Sequence, residues 1–260
     1  MRANRRGLPR RPEPEEDEEQ TFVELMLTRT VRVMRAATSF PMDLGVASGV
    51  IVGRPGGLLV LTAGDIFRQP GSWTLEAKFP GHGEGLYVPL RDVQRLASLD
   101  LMAGRAPPID LAWASIDPAD VRDALAAHPT LAGQKTELPV YRGSLDGTPK
   151  EQAVYGYASW NRVDIHQPAA IRATDASWET HMRFCGTRPS DGLYELALAS
   201  ARQPEDYYRG ASGAPIADET GQIVSLVLDV DRDRNRLIGV PLALFGPVIG
   251  AAAPAPRTQA

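Results

Sequence analysis

Short β-branched or aliphatic runs, each broken by glycine or proline, dominate this chain, and that punctuation limits the folds open to it. Thr30–Arg35 alternates apolar and polar residues with period two, as a half-buried strand does. Gly45–Val52 and Gly57–Thr62 flank Arg54-Pro-Gly-Gly, a turn signature that predicts a hairpin. Further strands are predicted at Leu86–Leu90, Ile109–Ser115, Leu138–Tyr141, Ala153–Tyr157, Leu193–Ala199, Gly221–Leu228 and Leu237–Val240. With 24 glycines and 22 prolines among 260 residues, the pattern predicts an all-β sandwich or barrel. The clearest helix signal is Asp117–Ala127, with Asp117 able to cap the first turn and Pro118 suited to the first helical position.

Composition removes several classes. The 28 basic and 32 acidic side chains leave a net charge of −4, which disfavours a general nucleic-acid-binding surface. No apolar run approaches the roughly 18–20 residues of a membrane span, so no membrane partner is expected. Cys185 is the single cysteine; it excludes an intrachain disulfide and fits a reducing, cytoplasmic setting. The four histidines His82, His128, His166 and His181 form no metal-ligand spacing with Cys185, and neither metal nor cofactor is expected. Residues 1–20 begin with arginines and continue as an acidic block with almost no apolar side chains, which predicts a disordered charged tail. Residues 251–260, rich in Ala and Pro, predict a second flexible tail. The segment Asp229-Val-Asp-Arg-Asp-Arg-Asn-Arg predicts a hairpin tip with compensating charges.

Three blocks carry chemistry. In Gly210-Ala-Ser-Gly-Ala-Pro, small residues on both sides of Ser212 let the backbone turn sharply and expose a hydroxyl. The N–H groups of Gly210 and Ser212 can then converge on a developing oxyanion. Leu59-Val-Leu-Thr-Ala-Gly-Asp is an apolar strand that breaks into a turn, and Ile109-Asp-Leu-Ala-Trp-Ala is a strand that opens on a carboxylate.

In order and spacing these blocks resemble the trypsin-like serine peptidases. Leu61-Thr-Ala-Gly-Asp is similar to the family's Leu-Thr-Ala-Ala/Gly-His, Ile109-Asp-Leu-Ala to its Asp-Ile/Leu-Ala strand, and Gly210-Ala-Ser-Gly-Ala-Pro to Gly-Asp-Ser-Gly-Gly-Pro. Ala47-Ser-Gly-Val-Ile-Val, Val154-Tyr-Gly-Tyr and Ile238-Gly-Val-Pro add support, and the likeness covers roughly residues 28 to 247. The lack of disulfides looks like bacterial members of the family. The resemblance implies two antiparallel six-stranded Greek-key barrels with one or two short helices and a cleft between them. The expected halves are residues 21–136 and 137–250.

It further implies Ser212 as nucleophile, Asp110 as the triad carboxylate, and an oxyanion hole at Gly210 and Ser212. The family's general base is a histidine, and Asp65 stands in its place. A carboxylate of ordinary pKa near 3.9 is a weak base toward a serine hydroxyl and lacks imidazole's two-ended geometry. The expectation is therefore a degenerate triad: a pseudoprotease that binds a protein or peptide partner. The alternative is an active endopeptidase whose base is His82, in the glycine-rich Phe79–Gly85 loop, or the proton-sharing pair Asp65 and Asp110. Asp206, six residues before Ser212, stands where family members preferring Arg or Lys carry a pocket-floor aspartate; a solvated loop acid is the other reading. Ala211 replaces the aspartate that secreted members pair with a freshly cut N-terminus.

Overall fold

A computed structural model describes residues 16–35, 46–55, 57–68, 71–78, 86–97, 110–122, 125–126, 138, 140–160, 165–167, 170–171, 176–200, 203–244 and 246. The chain opens with helix α1 (Glu16–Arg29) and strands β1 (Val31–Arg35), β2 (Val46–Arg54) and β3 (Gly57–Ala63). Next come β4 (Trp73–Lys78), β5 (Leu86–Pro89), β6 (Arg91–Ala97), β7 (Asp110–Ile116), helix α2 (Pro118–Val121) and β8 (Leu125–Ala126). The second half holds β9 (Tyr155–Trp160), β10 (Ile165–Gln167), β11 (Ala170–Ile171) and the long β12 (Ala176–Thr187). It ends with β13 (Tyr194–Ala197), β14 (Pro215–Asp218), β15 (Ile223–Asp231) and β16 (Arg236–Pro241).

The first sheet runs β5-β4-β1-β2-β3-β7-β6, with β8 attached to β4. Its two edge strands, β5 and β6, are separated in sequence by Leu90 alone, so the sheet must curl until its edges meet. The second sheet closes completely, in the order β12-β13-β16-β15-β14-β9. Both are antiparallel, and the all-β double-barrel expectation holds. The first barrel differs in detail: seven strands lie on its path, with β8 as an eighth, where six were expected.

Three elements depart from the sequence reading. The acidic block assigned to a solvated tail is in part helical, because α1 begins at Glu16. Arg29 sits in its last turn, at the negative end of the helix dipole. Val23, Met26 and Leu27, one buried face, pack into a core shared by both barrels. Phe22 of the same helix lies against Gly156 of β9, where an added Cβ would collide with its ring. The predicted helix at Asp117–Ala127 is cut to four residues. Asp117 does cap it, its carboxylate accepting the Ala119 N–H at 2.9 Å. Beyond Val121, Leu125 and Ala126 pair with Lys78 and Ala77 of β4, so sheet hydrogen bonds override helix propensity. The predicted strand Leu138–Tyr141 reduces to a single bridge, Tyr141 to Val52, which ties the inter-barrel linker to β2. The predicted charged hairpin tip is present, between β15 and β16. The expected C-terminal tail, 251–260, lies outside the described residues. No helix among the described residues is long and apolar enough to cross a membrane.

Candidate functional site

Ser212 lies on the loop between a 3-10 turn, Glu205–Tyr208, and β14. Small residues make this loop possible. Gly210 takes φ +85° and Gly213 φ +83°, both in the left-handed region that glycine tolerates best. The Ala211 N–H donates to Tyr208 O at 3.0 Å, and the Ala214 N–H to Ala211 O at 2.8 Å. Val227 of β15 secures the far end, accepting the Gly213 N–H and donating its own to Ala214 O, each at 2.8 Å.

The first barrel grips the same loop. The Ser48 N–H donates to Ser212 O at 3.0 Å, and Ser48 Oγ donates to Gly210 O at 2.8 Å. Ser48 is fully buried, and its hydroxyl also accepts the Trp160 N–H at 3.2 Å, joining β2, the loop and β9 at one point. Gly213 is the close approach. A Cβ there would collide with Ser48 O and Thr62 Oγ1 and would stand 2.8 Å from the Ala63 amide nitrogen. The loop therefore touches β3 at its last residue, immediately before Gly64 and Asp65.

Backbone register sets the other candidates. Asp65 opens a 3-10 turn, Asp65–Arg68, directly after β3. Ala63 pairs with Leu111, so Asp110 begins β7 at the same end of the β3–β7 ladder. The polypeptide thus brings the positions of Ser212, Asp110 and Asp65 to one corner where the barrels meet. The side chains of Asp65, Asp110 and Asp206 lie outside the described structure, as do the residues His82 and His128. Asp206 belongs to the Glu205–Tyr208 turn. His166 falls on β10. His181 sits at the bulge of β12 with φ +57°, its Nδ1 2.9 Å from Thr180 Oγ1. Cys185 is exposed on β12. Among the described residues no group of three or more His, Cys, Asp or Glu side chains could hold a metal ion.

A second cluster beside this loop had no sequence signal. Glu179 of β12 is 3% exposed and lies opposite Tyr157 of β9. No cation pairs with it among the described residues. Hydroxyls surround it instead: Ser200 Oγ is 2.7 and 2.6 Å from its two oxygens, and Tyr208 OH donates at 3.0 Å. Burial pushes the Glu179 carboxyl above the usual carboxylate range, with the Ser200 and Tyr208 hydrogen bonds acting against it. Burial and then the nearby Glu179 also raise the Tyr157 and Tyr208 phenols. The neighbouring Tyr207 donates to Trp178 O at 2.6 Å and accepts the Trp178 N–H at 3.2 Å. Consecutive tyrosines of the 3-10 turn thus hold consecutive residues of β12. A lone glutamate in a polar-looking strand gives no hint of this, because every partner comes from elsewhere in the chain.

Similarity to known proteins lies in the fold. No protein-family model matches the sequence, and no curated protein does either. Among solved structures, a serine endoprotease from Yersinia pestis superposes with a TM-score of 0.54 at 16% identity, covering 93% of this chain and 68% of its own. Human heparin binding protein superposes with a TM-score of 0.56 at 13% identity, covering 91% of this chain and 96% of its own. The chain has the double-barrel fold of the trypsin-like serine proteases.

Proposed function

We propose that this chain is a trypsin-like domain with a degenerate triad, acting as a pseudoprotease that binds a protein or peptide segment in the cleft between its barrels. The observation that carries the reading is Asp65 itself, an aspartate directly after β3 where the resembling family uses its histidine base. Acyl transfer from a serine requires a group that takes the hydroxyl proton and returns it to the leaving amine. In this reading Ser212 is the nucleophile position, Asp110 the orienting carboxylate, and the Gly210 and Ser212 amides the oxyanion donors. Loss of the imidazole from such a triad lowers turnover by on the order of 10⁶, or about 8 kcal/mol of barrier. What stays is a cleft and strand edges able to accept an extended peptide by β-addition.

The test is fluorophosphonate labelling followed by mass spectrometry, with Ser212→Ala and Asp65→His alongside the unmodified chain. The expected result is no labelling of the unmodified chain and labelling at Ser212 in Asp65→His. Labelling of the unmodified chain that vanishes in Ser212→Ala would overturn the pseudoprotease reading. It would favour an endopeptidase whose substitute base is His82 or the Asp65 and Asp110 pair. In the binding reading the partner is a protein or peptide, and no cofactor, metal, nucleic acid or membrane takes part. The proposed setting is cytoplasmic, resting on the single Cys185 thiol.

A further inference from the structure

The Ser212 loop is held from two sides, and only one of them belongs to the junction between the barrels. On the other side the loop hangs from the Glu205–Tyr208 turn, because the Ala211 N–H donates to the carbonyl of Tyr208. That turn carries no long-range strand pairing of its own. The described bonds that fix it to the second barrel are those of its two tyrosines, whose rings meet edge to face at 5.1 Å and 87°. Tyr207 exchanges hydrogen bonds with the backbone of Trp178, and Tyr208 donates to the Glu179 carboxylate.

We propose that Glu179 is a positioning residue for the Ser212 loop: through Tyr208 it sets where the turn ends and therefore where the Ala211–Gly213 backbone begins. The proposal rests on reading Ser212 as the centre of the cleft, and it adds a side chain that the degenerate triad does not contain. Geometry supports it twice. Ser200 Oγ lies within hydrogen-bond distance of both Glu179 oxygens, yet a hydroxyl has one proton to give. That proton is shared between the two oxygens as a bifurcated bond, and a proton on the carboxyl would convert one contact into a bond donated back to Ser200. Among the described residues the groups facing Glu179 are uncharged at neutral pH: Tyr157 from β9, Tyr207 and Tyr208 from the turn, and Ser200 from the segment after β13. Tyr157, paired with Glu179 across the β9–β12 ladder, also buries its hydroxyl. Among the described residues a negative charge at Glu179 thus meets hydroxyl dipoles, and its protonation state changes which hydroxyls donate and which accept. The same rearrangement passes to Tyr208 and so to the loop.

Hydrogen exchange of the full-length chain, followed by mass spectrometry of the peptide spanning residues 203–214, tests this without relying on reactivity. In Tyr208→Phe, exchange in that peptide is expected to rise about tenfold, the scale of one lost hydrogen bond, with other peptides unchanged. In the unmodified chain, exchange there, corrected for intrinsic chemistry, is expected to step upward as pH rises past the ordinary carboxylate range. Glu179→Gln is expected to remove the step. A uniform rise across all peptides in Tyr208→Phe, no change in 203–214, or a step that persists in Glu179→Gln overturns the proposal. If Glu179→Gln does not fold, Tyr208→Phe alone decides. A parallel measurement ties the loop to the cleft: in the Asp65→His background, adding Tyr208→Phe is expected to slow Ser212 acylation about tenfold at a temperature where melting curves show both variants folded. Absence of any acylation in Asp65→His speaks against the triad reading, whereas the exchange data bear on Glu179 by themselves.

Discussion

Each barrel buries one glutamate among the described residues, and the two are accommodated by opposite means. Glu76 of β4 meets the guanidinium of Arg32 on β1 at 2.5 Å, and that guanidinium lies 5.3 Å over the ring of Trp160. Glu179 of β12 has hydroxyls and, among the described residues, no cation. A buried ion pair fixes both charges and spends its Coulomb energy on their desolvation, so it holds a junction rigid. A carboxylate held by hydroxyls has its pKa raised by burial, and bonds between a carboxyl and hydroxyls can reverse direction. The first arrangement sits where β1, β4 and β9 meet. The second sits under the turn that leads into Ser212.

The comparison can be broken experimentally, and the largest effect belongs to the ion pair. Arg32→Leu leaves Glu76 buried without its guanidinium and should cost about 3–5 kcal/mol in urea unfolding. Replacing both partners by apolar residues of similar volume should recover most of that loss. If Arg32→Leu is nearly neutral, the two glutamates are not different in kind. Next comes Gly213→Ala, which puts a Cβ at φ +83° against Ser48 O and Thr62 Oγ1. Backbone strain alone predicts a loss of about 1–3 kcal/mol, and the same assay shows whether the first barrel really grips the loop. Ser48→Ala should cost about 1–2 kcal/mol, because it removes the donor to Gly210 O and the acceptor of the Trp160 N–H.

The smallest effect is the most diagnostic. Burial raises the folded-state pKa of Glu179 above its unfolded value, so the folded chain binds that proton more tightly. The stability it contributes is fully present below the unfolded carboxylate pKa and is lost as pH rises through the raised value. Glu179→Gln does not titrate. Relative to the unmodified chain it should therefore gain stability between pH 4 and pH 7, read from paired denaturant melts. A constant difference across that range would show that the carboxyl is not desolvated.

Much of the architecture was legible in local patterns. The hairpin β2–β3, the strand β7 and the charged tip between β15 and β16 follow from period-two alternation and turn residues. The Ser212 loop announced itself through small residues whose spacing only a tight, close-packed turn requires. Other elements were hidden because their reasons are not local. β12 reads as mixed polarity since the partners of its buried residues, Tyr157 opposite Glu179 and Tyr155 opposite Met182, are assigned only by the closed barrel. α1 was hidden by its own acidic first turn, which looks like solvated chain until Val23, Met26 and Leu27 find a core to enter. The Asp117 cap was readable, but the end of its helix was decided by the free edge of β4.

The chemistry divides in the same way. Residue identities alone determined that the chain offers a serine in a glycine turn, a carboxylate opening a strand, and an aspartate, Asp65, just after an apolar strand. These are properties of short segments, and short segments keep them in any fold. Only the tertiary structure decided that Ser48 and Thr62 brace the loop from one barrel while Tyr208 carries it from the other. Only closure of the second barrel put Glu179 among hydroxyls instead of beside an arginine. Hydrogen bonding and desolvation act between neighbours in space, and for Glu179 those neighbours are residues 200 and 208, which lie in loop and turn segments that only the folded second barrel brings beside it.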